Sequence, residues 1–321
     1  MEKTLPNLYL GAEQISRLAI LVALLSLFAL HLMRVVLPVE TEIAIAFISL
    51  CIGIPHGAVD HLIAIPSKPR SRFALYIALY IAIALFAGWA IAHWNLIGFQ
   101  IVLLVSALHF GFGDAAYRNE WQGFAHAKKN SRLITCAYAL PAGLLPVVLP
   151  LTDHRTLAAI QRINPKLIPW AGGRVQEFRF ATLVLALSAL LLLLISRHFS
   201  LALDLTLLAM LSFFAPPLIA FAFYFGLWHA LRHTVRLIPK YPRAMEKFMD
   251  RDESIWAAIS TVIKPGLFAL AGTLAFSILL IALSPTYFSR GIFWTTLLIV
   301  WALTFPHMAA TARFDLPAIQ N

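Results

Sequence analysis

Long apolar runs, separated by short clusters of charge, proline and glycine, recur along the whole chain, and this pattern predicts membrane-crossing helices. A spanning helix takes about 20 mainly apolar residues. The stretches that qualify are residues 18–37, 43–65, 73–93, 96–113, 133–151, 178–196, 199–215, 216–231, 266–283 and 291–310. The expected fold class is all-α, a polytopic integral membrane helical bundle of about ten spans (eight to ten), with both termini cytoplasmic. From Phe199 to Leu231 the run is too long for one span, since at 1.5 Å per residue it reaches about 50 Å against a hydrocarbon core of about 30 Å. Pro216-Pro217 is expected to divide it, because proline lacks the amide donor and restricts the residue before it. Both resulting spans are short, so a re-entrant element is the alternative.

Composition removes whole classes of function. Of 321 residues, 60% are hydrophobic and 12% charged, which excludes an ordinary soluble domain and a disordered chain. Ten spans leave little sequence for an extramembrane unit, so residues 1–321 are expected to form a single membrane domain without internal repeats. Cys51 and Cys136 are the only cysteines, and both lie in apolar runs. A disulfide scaffold and a thiolate metal site are therefore not expected.

The net charge of +10 raises nucleic acid as a partner, yet the 25 Lys and Arg are spread through short loops. Orientation in a membrane accounts for them better, placing the basic loops 68–72, 118–132 and 232–264 in the cytoplasm. Loop 152–179 dissents, and its Pro165, Pro169 and Gly172-Gly173 read as an interfacial segment. The first apolar run has no small-residue cleavage pattern and reads as a retained signal anchor. The expected location is the cell (inner) membrane, multi-pass, with membrane lipid around the chain and no nucleic-acid partner.

Histidines carry the chemical information. His56, His109, His229, His233 and His307 all fall towards the end of an even-numbered span or just after it, which predicts one shared level near the cytoplasmic face. Ionisable groups at such positions are costly and usually functional. His229 and His233, in FGLWHALRH, are four apart and share a helical face. That suits two ligands of one metal; the bland alternative is two helix-end histidines at the interface. His56, in GIPHGAVDH, lies between Pro55 and Gly57, which are expected to interrupt the helix inside the membrane. A proline kink serving packing is the competing explanation.

His109 lies in HFGFGD, where Gly111 and Gly113 allow close approach. Metal-bound histidines usually give their second ring N–H to a carboxylate or carbonyl, so Asp60 and Asp114 are candidate supports behind the ligands. His307, in TFPHMAA, is a fifth ligand, a supporting donor or a substrate contact, ranked below the other four. Asp204 sits in the apolar stretch LALDLTLL and is expected to be paired with a partner that the pattern does not identify. His61 follows Asp60 and is expected to point away from His56. His31, near the opposite face, and His93, His126, His154 and His198, in or beside loops, are set aside.

Imidazoles without thiolates suit iron, copper, zinc or nickel. A closed tetrahedral zinc site leaves no position for substrate. Six-coordinate iron with four neutral imidazoles keeps its full charge and leaves positions for dioxygen or water, while the membrane favours an apolar substrate arriving between helices.

Taken in order, PHGAVDH, HFGFGD and WHALRH give the chain a resemblance to the Brp/Blh family of membrane β-carotene 15,15′-dioxygenases, over about residues 44–308, with a late PHM that also fits. The resemblance implies an all-helical membrane enzyme that uses non-haem iron (Fe2+) and O2. Its substrate is expected to be β-carotene or a related apolar polyene, cut at the central double bond to give two retinals for a retinal-using protein downstream. The family's iron-ligand positions fall on His56, His109, His229 and His233. The alternatives are a dioxygenase for a different carotenoid, and a histidine-rich membrane protein that binds haem or transports metal. A di-iron hydroxylase or desaturase needs more histidines than one H-x-x-x-H, a metalloprotease needs H-E-x-x-H, and an opsin-like protein needs a deeper lysine than Lys264.

Overall fold

Residues 3–63, 69–286 and 288–320 are described by the computed structural model; the expected span end at Ile65 and the basic residue Lys68 lie outside the described residues. All regular structure among them is helical. Helix α1 (Leu5–Leu32) starts where the Thr4 side chain accepts a hydrogen bond from the Asn7 amide, an N-cap that satisfies one of the helix's free donors. There follow α2 (Val39–Gly57), the short α3 (Asp60–Ile63), α4 (Arg70–His93), α5 (Asn95–Phe124) and α6 (Arg132–Val148). An amphipathic α7 (Arg155–Ile163) precedes α8 (Val175–Ile195) and α9 (Phe199–Phe214). Then come α10 (Pro217–Ala222), a π-helical turn over Phe223–His229, α11 (Ala230–Leu237), α12 (Pro242–Met249), α13 (Ile255–Leu283) and α14 (Gly291–Gln320).

The chain is a helical membrane bundle. Among the described residues seven helical stretches are long and apolar enough to cross a membrane, those of α1, α2 with α3, α4, α5, α8, α13 and α14, while α6 and α9 are shorter apolar helices. The run from Phe199 divides at Pro216-Pro217 as expected: Ala215 and Pro216 are extended, with ψ of 148° and 147°, between α9 and α10.

Several helices outrun the apolar windows that signal them. Helix α1 begins well before residue 18, α5 runs past Gly113 to Phe124, α13 takes in Lys264 and Pro265, and α14 continues beyond residue 310. Hydropathy registers the lipid-facing stretch, whereas backbone hydrogen bonding carries the helix on into polar sequence. Pro55 also departs from expectation. Helix α2 runs through it to Gly57, and the break comes at Ala58 and Val59.

Apolar side chains such as Leu25 of α1, Phe86 of α4, Phe180 of α8 and Phe268 of α13 face outward. Inside lies an apolar core built on α5, α6, α9 and α10, with Leu145, Leu208, Leu211 and Trp228 fully enclosed. Loop 152–179 covers a second cluster with Ile160, Ile163, Leu167 and Trp170. Two crossings depend on missing side chains. A Cβ at Gly111 would stand 1.9 Å from the Ala139 carbonyl oxygen, and one at Gly143 would stand 1.8 Å from that of Ala107, so α5 and α6 touch backbone to backbone. Likewise a Cβ at Gly266 would lie 2.2 Å from the Pro55 carbonyl oxygen, which brings α13 against the end of α2 beside His56.

Candidate metal centre

Five buried histidines from four stretches of chain meet in the bundle: His56 from the end of α2, His109 from α5, His229 and His233 from the π-turn and α11, and His307 from α14. The His56 ring centre lies 5.3 Å from His229, 5.1 Å from His233 and 5.8 Å from His307. That of His109 lies 5.2 Å from His229 and 5.1 Å from His307. His229 and His233 stack at 5.8 Å, and His233 is 5.5 Å from His307. With metal–nitrogen bonds of about 2.0–2.1 Å, rings that share one ion sit with centres roughly 4.5–6.5 Å apart. All of these separations fall in that window.

The π-turn contributes to the stacking. Widening one turn aligns Phe225, His229 and His233, each four residues from the next, as successive tilted layers, and such turns occur frequently at functional sites. The Ser49 hydroxyl donates to the Ala222 carbonyl at 2.6 Å, tying the start of this turn to α2.

Nδ1 of His56 and Nε2 of His229, His233 and His307 are buried without a hydrogen-bond partner. Each such group costs about 1–3 kcal/mol if it stays unpaired. By ligand-atom geometry no group of three or more His, Cys, Asp or Glu among the described residues stands ready to hold a metal ion. Turning an imidazole about χ2, a broad torsion, re-aims its nitrogens while its centre barely moves. The clustered imidazoles are therefore a candidate donor set for a cation, reached by reorienting rings rather than by moving helices.

Asp60 supports His307. Its Oδ2 lies 2.8 Å from His307 Nδ1 and accepts from the Tyr80 hydroxyl at 3.2 Å. A carboxylate only accepts, so Nδ1 carries the proton and Nε2 of a neutral His307 keeps its lone pair. Asp114 goes elsewhere: its carboxylate accepts from the Trp228 indole at 2.8 Å. His61 lines the same cavity as His56 and His307.

A cavity of 230 Å³ opens beside the rings. Its lining includes His56, His109, His229 and His307 together with Phe110, Phe225, Leu303, Tyr76, Ile77 and Thr273.

Arginines behind the histidines were not expected there. Arg232 and Arg236, assigned by hydropathy to a cytoplasmic loop, are 2% and 1% exposed. Arg232 pairs with Asp204 at 2.9 Å, donates to the Ser16 hydroxyl at 3.0 Å and lies 3.6 Å above the Trp228 ring. Asp204 also pairs with Arg17 at 2.6 Å, so its expected partner is an arginine on each side. Arg236 pairs with Glu120 at 3.0 Å and Asp315 at 2.6 Å. The signal was present in the sequence, since the arginines are four apart and interleave with the histidines as H-x-x-R-H-x-x-R over residues 229–236.

The family profile described as beta-carotene 15,15'-dioxygenase matches residues 47–315. A protein named Beta-carotene 15,15'-dioxygenase, from an uncultured marine bacterium (66A03), is 30% identical over 193 residues, which cover 57% of this chain and 64% of that protein. The alignment thus spans slightly less than two thirds of the curated relative. No solved structure matches the chain. The profile takes in all five clustered histidines together with Asp60, and on that match the chain belongs to the beta-carotene 15,15'-dioxygenase family.

Proposed function

We propose that this protein cleaves β-carotene at its central 15,15′ double bond with dioxygen, giving two retinals, at a ferrous ion held by His56, His109, His229 and His233. The observation that carries the reading is the convergence of buried imidazoles, several with unpaired nitrogens, beside a largely apolar cavity in a membrane bundle. Family membership and the name of the marine relative support the substrate class. In the reaction the carbon–carbon double bond breaks and each of its carbons takes one atom of O2, so no external reductant is needed. Iron, when bound, supplies the activation of dioxygen.

The chain supplies the rest. Four uncharged imidazoles hold a cation without cancelling its charge, and a site clear of water strengthens that field. Asp60 holds the proton of His307 on Nδ1, so that Nε2 offers a fifth nitrogen to the cluster. The cavity walls fix which bond of the polyene meets the histidines. The protein acts as a multi-pass component of the cell (inner) membrane, takes its substrate from the lipid phase and releases retinal to a retinal-using protein.

Expression in bacteria that accumulate β-carotene tests the reading. Colour is lost, retinal appears, and purified protein carries one iron per chain without a Soret band. Persistent colour despite inserted, iron-loaded protein overturns it.

A further inference from the structure

A second cavity, of 160 Å³, lies beyond the first and contains none of the histidines. The two share Phe110, Phe225, Val300 and Thr304 as common wall. That wall stands at the histidine cluster, with the Phe110 ring 4.6 Å from His229 and the Phe225 ring 5.9 Å from His56. The junction of the cavities therefore coincides with the candidate metal centre.

The lining of the second cavity points to hydrocarbon. Val102, Ile160, Leu218 and Leu297 contribute lining there, together with the aromatic rings of Phe99 and Trp301. Two lining hydroxyls are already committed, Thr156 to the Pro150 carbonyl at 2.6 Å and Thr304 to the Val300 carbonyl at 2.8 Å, while Tyr224 brings a hydroxyl without a partner to a lining that is otherwise mostly hydrocarbon. Pockets for drug-sized ligands run to about 300–1,000 Å³, and neither cavity reaches that alone. A long polyene cut at its midpoint needs two arms of equal length on either side of the reacting bond.

We propose that the second cavity is the subsite for one half of the polyene, with the first holding the other half and the Phe110–Phe225 wall seating the bond to be cut. The inference rests on the dioxygenase reading above. Cleavage position is then set by how far the second cavity extends from the histidines. Residues 102, 160 and 297 accordingly determine specificity without touching the metal.

Leu297→Trp and Ile160→Trp, on different helices, test it by filling the second cavity. Both variants retain iron and the wild-type content of folded protein. Turnover of β-carotene falls by about tenfold or more, in line with the roughly 10–200-fold that a methylene's difference costs in an apolar pocket. A shortened analogue that lacks one end ring is still cleaved at close to the wild-type rate, because its truncated arm fits the reduced space. Leu297→Ala carries the test in the opposite direction: it raises turnover of a polyene with one enlarged end group.

Three results overturn the proposal: unchanged β-carotene turnover in both tryptophan variants, equal loss for full-length and shortened substrates with iron retained, or no gain for Leu297→Ala with the enlarged substrate. Wild-type protein that fails to cleave β-carotene at all sinks the dioxygenase reading instead, so the two failures are distinct.

Discussion

Two faces of one helical segment carry opposite polar logic. On one, Arg232 and Arg236 are buried with their charge neutralised, by Asp204 in the first case and by Glu120 and Asp315 in the second, and Arg232 also donates to the Ser16 hydroxyl while its Nη2 has no partner. On the adjacent face His229 and His233 are equally buried, yet each keeps an unpaired Nε2. A charge inside a membrane bundle persists only when it is neutralised from within. The arginine charges find carboxylates inside the bundle, whereas the two imidazoles carry no charge partner and leave a nitrogen free to bind. On the proposed function, the arginine face serves the architecture and the histidine face the chemistry.

The largest expected effect comes from breaking the histidine face. His229→Ala or His233→Ala lowers both iron content and retinal formation to background while the protein inserts and purifies normally; metal analysis together with product chromatography reads the result. Full activity in either variant removes that histidine from the centre. Breaking the arginine face gives a different phenotype. Arg236→Ala takes the arginine from Asp315 while Glu120 keeps Lys240 at 2.8 Å; breaking a buried pair costs about 3–5 kcal/mol, seen as a lowered melting temperature in detergent before any change in metal stoichiometry. Equal melting temperatures for Arg236→Ala and wild type erase the contrast between the faces.

A smaller effect sharpens the comparison at His307. Asp60→Asn replaces the charged acceptor behind His307 Nδ1 with a neutral amide that can present either oxygen or NH2, and metal affinity falls by about 10–100-fold, the usual cost of weakening such a support. Competition with a chelator measures it. Tyr80→Phe removes only the hydroxyl that donates to the same carboxylate, worth about 1 kcal/mol, and shifts the chelator midpoint in the same direction by less. An effect of Tyr80→Phe that exceeds that of Asp60→Asn breaks the proposed order of support.

Much of the candidate site was legible one residue at a time. His56, His109, His229 and His233 stand in local patterns that set them apart from the chain's other histidines, and the four-residue spacing of the last pair defines a face whatever surrounds it. The acid behind His307 was less accessible. Asp60 lies 247 positions away in sequence, and its nearest sequence signal pointed to His56. Asp114 shows the same ambiguity, because a carboxylate five residues after a histidine is equally placed to reach an indole on a neighbouring helix, and Trp228 takes it. The buried arginines were hidden by the rule that reads basic residues as loop markers. That rule follows composition near the ends of apolar runs and is blind to a carboxylate contributed by another helix.

Sequence alone determined the class of the molecule, since only helices satisfy their own backbone in lipid and this chain's apolar runs are long enough to be such helices. It also singled out histidines as the candidate chemical groups, because ionisable side chains in an apolar run are costly. The assembly of those residues was decided only in three dimensions. Backbone contact at Gly111 and Gly143, the seat of Gly266 against Pro55 and the widened turn at 223–229 draw distant stretches of chain together. Local spacing fixes the face on which a side chain emerges, but which face it meets depends on helix crossings, and those are set by packing across hundreds of residues.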